Sequence, residues 1–423
     1  MFEAAIAMSR KWDATDAGQE IGEQIISKLK NKPKFVLLFS TIHYEKHGGF
    51  QKFLDAVNSK LPERTPVVGG TVAGFMNNYG CYTRGASALA VYSDEMDVAV
   101  GVGHNTKRNP KKAGLDCLKS LTTIKNSKHS QKIVIDFISG VTMPKFPFME
   151  RVVVVRNHNR VVGELINLLL VSSTIVFQKG IAREEEVLQP IVDVLSNSYI
   201  FGGGNEDDNN FRNNYQFYNG SVFENSITAL GISFNQSIRL KSGHGYYPIG
   251  EPIKNVKKRV WNRTILEMDG KPATKKYMEA LGWSDDLLDD VRQFHRRFMF
   301  NPIGGFDESN KVYPAVLGAY LGSNYGTGCP VPGNKLTLLR TSGLRQINII
   351  DDILPRANPK FAFFIGCGNI LETLGSQLYK LKEKIDQRMT TPYLMVFTAG
   401  EHNRIPGQPI RNYQSTLNVL SIE

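Results

Sequence analysis

The chain has 423 residues, of which 41% are hydrophobic and 22% charged, and it carries a formal net charge of +11. That length allows about two or three domains with cores of their own. Cys81, Cys117, Cys329 and Cys367 stand far apart with no C-x-x-C pair, which argues against a zinc site and a disulfide framework and for reduced thiols. The basic pairs are scattered and not interleaved with aromatics in one stripe, which argues against a nucleic-acid surface.

In chain order, Glu3 to Met8 reads as a strand, and Asp13 caps a helix whose apolar side is Ala17, Ile21, Ile25 and Leu29. Glu3 precedes the first basic residues, the wrong order for a secretory signal, so a cytoplasmic protein is expected. A strand from Phe35 to Phe39 leads to a helix with Phe50, Phe53, Leu54, Val57 and Leu61 on one face, closed by Pro62 and Pro66. The next strand runs through Val67 and Val68 into Gly69, Gly70 and Thr71. Ala86 to Tyr92 and Asp97 to Gly103 form a strand pair around Ser93 and Asp94. Ile133 to Ile138 is a further strand. Residues 140–179 do not parse into elements and read as an insertion, whose apolar run Val161 to Phe177 is broken by Glu164 and Asn167. No transmembrane segment and no membrane partner are expected.

Val187, Leu188, Ile191 and Leu195 form a helical stripe before the strand Tyr199 to Gly204, and Ile227 to Phe234 with Ile238 to Gly243 is another strand pair. Beyond Pro248, Gly250 and Pro252 come a helix at Ala273 to Leu281 and strands at Phe298 to Ile303, Val312 to Leu321 and Lys335 to Arg340. Asp285, Asp286, Asp289 and Asp290 read as a solvated helix face. The last unit pairs the strand Phe361 to Ile365 with a helix burying Ile370, Leu374, Leu378, Leu381 and Ile385, then a strand ending at Thr398, Ala399 and Gly400. The spacing from Phe361 to Gly400 repeats that from Phe35 to Gly74. Antiparallel partners after each helix give an α+β class: repeated strand-helix-strand-hairpin units forming two sheet-plus-helix domains. The boundary is set at residue 255, giving domains 1–255 and 256–423.

Val67-Val68-Gly69-Gly70-Thr71-Val72-Ala73-Gly74, Phe201-Gly202-Gly203-Gly204-Asn205-Glu206-Asp207, the junction Gly245-Tyr246-Tyr247-Pro248-Ile249-Gly250 and Leu266-Glu267-Met268-Asp269-Gly270-Lys271-Pro272-Ala273 resemble the FIST family. Its C-terminal region is suggested by Ile365-Gly366-Cys367-Gly368, Thr398-Ala399-Gly400-Glu401 and Asn412-Tyr413-Gln414-Ser415-Thr416. The resemblance covers nearly the whole chain and departs from the family pattern at Asn369, where arginine is frequent. It implies a stand-alone member of the prokaryotic type: a sensory FIST N-terminal and C-terminal pair that binds a small polar, amino-acid-like metabolite and signals to a protein partner. In one branch it implies haem, with His244 as the candidate axial ligand. It implies no catalytic activity.

The candidate ligand-binding residues sit at the glycine-ended strand ends: Gly69, Gly70 and Thr71; Gly203, Gly204, Asn205 and Asp207; Cys367 and Gly368; Thr398, Gly400 and Glu401. The glycines also read as tight turns, Asn205 and Asp207 as parts of a polar turn, Glu401 as a turn glutamate facing water and Cys367 as a buried small residue. Asn369 with Glu372 forms a capping-box pattern behind Cys367, where a helix start would hold an anion. Cys367 with His402 leaves a cysteine-dependent enzyme open as an alternative. No metal site is assigned: His43 and His47 lie in a loop, and Asn205 to Asp208 lacks a calcium loop's spacing.

Overall fold

The computed structural model describes residues 1–143, 153–155, 160–355 and 358–423. The first repeat runs β1 (Phe2–Ser9), α1 (Ala14–Lys28), β2 (Phe35–Ser40), α2 (Phe50–Asn58), β3 (Val67–Thr71), the hairpin β4 (Gly74–Asn77) and β5 (Gly80–Tyr82), and β6 (Ala86–Ser93). Asp13 caps α1 by accepting from the Thr15 and Asp16 amides. The second repeat runs β7 (Met96–His104), α3 (Pro110–Lys125), β8 (Gln131–Ser139), β9 (Val153–Val155), α4 (Arg160–Ser172), α5 (Glu184–Val194), β10 (Tyr199–Asn205), the hairpin β11 (Gln216–Tyr218) and β12 (Ser221–Phe223), and β13 (Ser226–Phe234).

The third repeat opens with β14 (Ile238–Gly243) and is then interrupted. Residues 244–342 form β15 (Tyr247–Ile253), β16 (Val256–Arg259), β17 (Thr264–Met268), β18 (Lys271–Pro272), α6 (Ala273–Leu281), α7 (Val291–Phe300), β19 (Ile303–Phe306), β20 (Val312–Ala315), β21 (Leu317–Leu321), β22 (Asn324–Thr327) and β23 (Leu336–Arg340). The repeat resumes with α8 (Gly343–Ile353), β24 (Phe361–Cys367), α9 (Gly368–Leu374), α10 (Leu378–Asp386), β25 (Tyr393–Thr398), the hairpin β26 (Glu401–Arg404) and β27 (Arg411–Tyr413), and β28 (Leu417–Ile422).

Each repeat contributes four strands to its own sheet in one pattern, antiparallel, antiparallel, then parallel: β1-β6-β2-β3, β7-β13-β8-β10 and β14-β28-β24-β25. The hairpins are exchanged. Strand β4 extends the third sheet through β25, β11 extends the first through β3, and β26 extends the second through β10. The class is therefore α+β, and three repeats close on one another in a cycle.

The inner faces of the three sheets share one core, where Phe39, Phe137 and Phe363 meet with ring centroids 4.8 to 6.2 Å apart. Helices cover the outer faces: α1 and α2 the first sheet, α3 and α5 the second, α8 to α10 the third. The interrupting segment has a separate core around Tyr277, Phe294, Phe298 and Tyr325. The expected boundary at residue 255 falls between β15 and β16, inside that segment.

Two local expectations are corrected there. Phe298 is the end of α7 and not the start of a strand, because Phe294, Phe298 and Met299 bury one helical face and Asp290 caps the helix through the Gln293 amide. The stretch Val312 to Leu321 divides at Val316 between two sheets. The aspartate run forms a short tight turn, Asp285–Asp289, with Leu287 and Leu288 turned inward.

Candidate functional site

At one end of the core the three parallel-paired strand ends are tied in a ring. The Ala73 amide donates to Phe397 O (3.0 Å), Glu206 to Thr71 O (3.1 Å), and Ala399 to Gly204 O (2.9 Å). Glycine is required for the close approach of these strands. A Cβ on Gly69 would overlap the Leu38 carbonyl oxygen, and one on Gly203 would lie 2.7 Å from Thr398 Oγ1 and 2.8 Å from Gly400 O.

Over this ring lies a recess between the core and the inserted segment, with about 100 Å³ of interior volume. That is comparable to a cavity of ~150 Å³ known to admit benzene. Leu170, Phe211, Phe298, Val316 and Leu321 supply apolar wall; Glu206, Asn209, Thr264, Asn369, Thr398 and Gln414 supply polar groups, with Cys367 and Gly368 beside them. Several of the polar groups are already engaged. Gln414 Oε1 accepts from the Val316 amide at 3.2 Å, Asn369 Nδ2 donates to Ser415 Oγ at 3.1 Å, and Thr398 Oγ1 donates to Gly400 O at 3.1 Å.

Glu206 is different: the residue is 1% exposed and neither carboxyl oxygen has a hydrogen-bond partner among the described residues. Burial first, then Asp207, Glu372, Glu401 and Asp208, push its carboxyl well above the usual range. Its carboxyl faces the backbone at Gly368, where an added Cβ would lie 2.7 Å from Oε1. On the inserted side, Thr264 Oγ1 is likewise buried without a partner. An unpaired buried carboxyl costs free energy unless a donor meets it.

Both basic side chains of the lining, Arg263 and His295, already face carboxylates. Arg263, fully buried, forks onto Glu185 with two contacts of 2.7 Å and reaches Glu184 Oε2 at 3.1 Å. Burial opposes its charge, but Glu185 and Glu184 more than offset this. Burial raises Glu184 in spite of Arg263, whereas the fork holds Glu185 low in spite of burial. His295 lies 3.8 Å from Glu372.

Of the residues expected from sequence, Cys367, Gly368 and Thr398 line the recess. Gly69, Gly70, Gly203, Gly204 and Gly400 lie in the ring beneath it, with Thr71 and Asn205, whose Nδ2 donates to Thr71 O at 3.1 Å. Asp207 is spent on its own loop, accepting from the amides of Asn210, Phe211 and Arg212 at 2.8 Å each. Glu401 Oε2 accepts from the amide and hydroxyl of Thr416, holding the last hairpin against the ring. Sequence reasoning named Glu206 only as one oxygen donor in a polar run, and it missed Arg263 and Glu184. The signal available for Glu206 was its position, one residue beyond the strand Tyr199–Asn205.

The remaining alternatives meet specific obstacles. His402 Nδ1 pairs with Asp136 at 2.7 Å, and that carboxylate offsets burial to raise the imidazole. The Cys367 thiol is pushed well above its usual value by burial and by Glu401, so it stays protonated. Asn369 is not a cap: α9 begins at Gly368, its flanking residue is Cys367, and no side chain caps it. At His244, Nε2 lies 2.9 Å from Val312 O and Nδ1 accepts from the Tyr246 amide at 3.3 Å, so both ring nitrogens are engaged and the residue does not fit a haem ligand. His43 and His47 stack around Trp12 in a short turn. Among the described residues no group of three or more His, Cys, Asp or Glu side chains is placed to hold a metal.

A cyclic α+β scaffold thus closes over a partly apolar recess holding a buried carboxyl that has no hydrogen-bond partner among the described residues. The FIST N domain model matches residues 6–271, more than half the chain, and the chain belongs to the FIST family, whose members are generally sensory proteins. An uncharacterised protein of Methanocaldococcus jannaschii is 26% identical over 195 residues, covering 43% of this chain and 37% of that protein. The match thus spans little more than a third of that relative. A cyanuric acid hydrolase from A. caulinodans superposes with a TM-score of 0.29 at 8% identity, covering 55% of this chain and 71% of that one.

Proposed function

We propose that this FIST protein senses a small amino-acid-like metabolite, taken into the recess between the cyclic core and the inserted segment, and reports it to a protein partner in the cytoplasm. The observation that carries the reading is Glu206, a wholly buried carboxyl with no hydrogen-bond partner among the described residues, set in a recess with apolar walls. A ligand ammonium would supply the donor it lacks, and Thr264 across the recess offers a hydroxyl to a second polar atom. Arg263 and His295 already face carboxylates, so the positive or donating end of the ligand is the end that is read. Because the recess is built from two bodies with separate cores, a ligand favouring one arrangement over another would shift their populations.

Thermal-shift measurements against amino acids, simple amines, carboxylates and nucleotides test this. An amine-bearing compound at about 100 times its Kd should stabilise the protein by roughly 2.7 kcal/mol. Glu206→Gln keeps the shape but cannot ionise against a bound ammonium, and should weaken that compound about tenfold or more while the protein remains folded. Stabilisation by anions alone, or equal binding by the variant, would overturn the reading.

A further inference from the structure

Helix α4 and the wider turn that continues it to Phe177 have their amphipathicity reversed. The inward side carries buried Gly163, Asn167 and Thr174 with half-buried Ile166 and Leu170 packed on Leu321, while Val161 is 76% exposed, Leu165 56%, Leu168 62%, Leu169 57% and Phe177 74%. The inward face is fastened to the molecule. Asn324 Nδ2 donates to Gly163 O at 2.9 Å, a Cβ on Gly163 would overlap Ser323 Oγ, and Thr174 Oγ1 accepts from the Ile181 amide at 3.1 Å. The helix therefore lies along the surface and presents an apolar strip outward.

We propose that this strip is a docking face for the surface of an anionic phospholipid bilayer, departing from the expectation that no membrane is engaged. Two observations select that occupant. The first is area: eighteen residues, Arg160–Phe177, at about 1.5 Å each and one helix wide offer roughly 300 Å². A stable interface with a second copy uses about 800 Å² per partner. An interfacial helix needs only its own apolar face.

The second observation is charge. Each end of the strip carries an arginine: exposed Arg160 stands at the start, where it pairs with Glu267 at 3.1 Å, and at the end exposed Arg108 donates through Nε to Ile175 O (3.0 Å) and through Nη2 to Val176 O. Beyond Arg108, exposed Lys111 and Lys112 open α3, Lys112 paired with Asp116 at 2.6 Å; exposed Glu164 is the single acid within the strip, and the chain's net charge is +11. Two such strips packed antiparallel would bring basic ends together, whereas anionic headgroups neutralise them.

Flotation with vesicles of phosphatidylcholine alone, and of phosphatidylcholine and phosphatidylglycerol in equal parts, tests the assignment. The wild-type chain should float with the anionic vesicles roughly tenfold more than with the neutral ones and lose the difference in high salt. The variant Leu165→Glu/Leu168→Glu/Leu169→Glu changes three exposed positions; it should keep its melting temperature and lose flotation about tenfold. No flotation with anionic vesicles, equal flotation with neutral ones, or flotation unchanged in the variant would overturn the proposal. So would a lipid-independent dimer, seen by sedimentation, that the variant dissolves.

Discussion

Glu401 shows how a single side chain at the ring couples protonation to folding. Burial, opposed by its hydrogen bonds from Thr416, pushes its carboxyl up to about 8. A group more basic in the folded chain than in the unfolded one takes up a proton on folding. Its stabilising share is full below the unfolded value near 4.5 and is lost as pH rises toward about 8. Glu401→Gln, which keeps an acceptor for Thr416, should therefore flatten the fall in stability between about pH 5 and 8 by up to ~1.4 kcal/mol per unit. Urea midpoints across that range measure it, and an unchanged slope would mean that Glu401 is ionised in the native chain. The neighbouring Glu206 is raised in the same direction, so the two carboxyls add to one acid-favoured trend.

The turn before β17 and the first turn of α5 are joined by the Arg263 fork, a buried polar link between the inserted segment and the core. Val260, Trp261 and Asn262 precede it with φ of 48°, 53° and 61°, an unfavourable run for residues with side chains, above all for β-branched valine. The fork and the stacking of Arg183 on Trp261 at 4.7 Å hold that turn in place. Arg263→Met leaves buried Glu184 and half-buried Glu185 without their cation and should cost about 3 kcal/mol in denaturant unfolding. Adding Glu184→Gln and Glu185→Gln should restore much of that loss, because the uncompensated charges are then gone. A loss that the added changes leave intact would place the stabilisation in packing instead.

Across the whole molecule, the exchanged hairpins and the shared aromatic core make the three repeats interdependent. Phe363 touches Phe39, Phe137 and Phe201, one or more rings from each of the other two sheets. Phe363→Ala should cost about 3–5 kcal/mol. The loss should appear equally in hydrogen exchange of β2, β8 and β24, since none of the three sheets keeps its inner face without the others. Protection lost in β24 alone would mean that the repeats are separate units.

Much of this was legible from residue order. Period and punctuation show where strands and helices lie, because Phe50, Phe53, Leu54 and Val57 can bury one face only as a helix, and Asp13 starts α1 with its own carboxylate. The glycine repeats mark where strands crowd one another. Residue order does not say which sheet a hairpin joins: β4 pairs with a strand more than three hundred positions away, and its own neighbours carry no sign of that partner. Nor does it separate Glu206 from Asp207, adjacent acids of the same chemistry. Local sequence determined the elements and their repeat, since those depend on contacts a few residues apart. The tertiary structure alone decided the cyclic closure and which carboxyl faces the recess, since burial and pairing are properties of chain segments brought together from far apart.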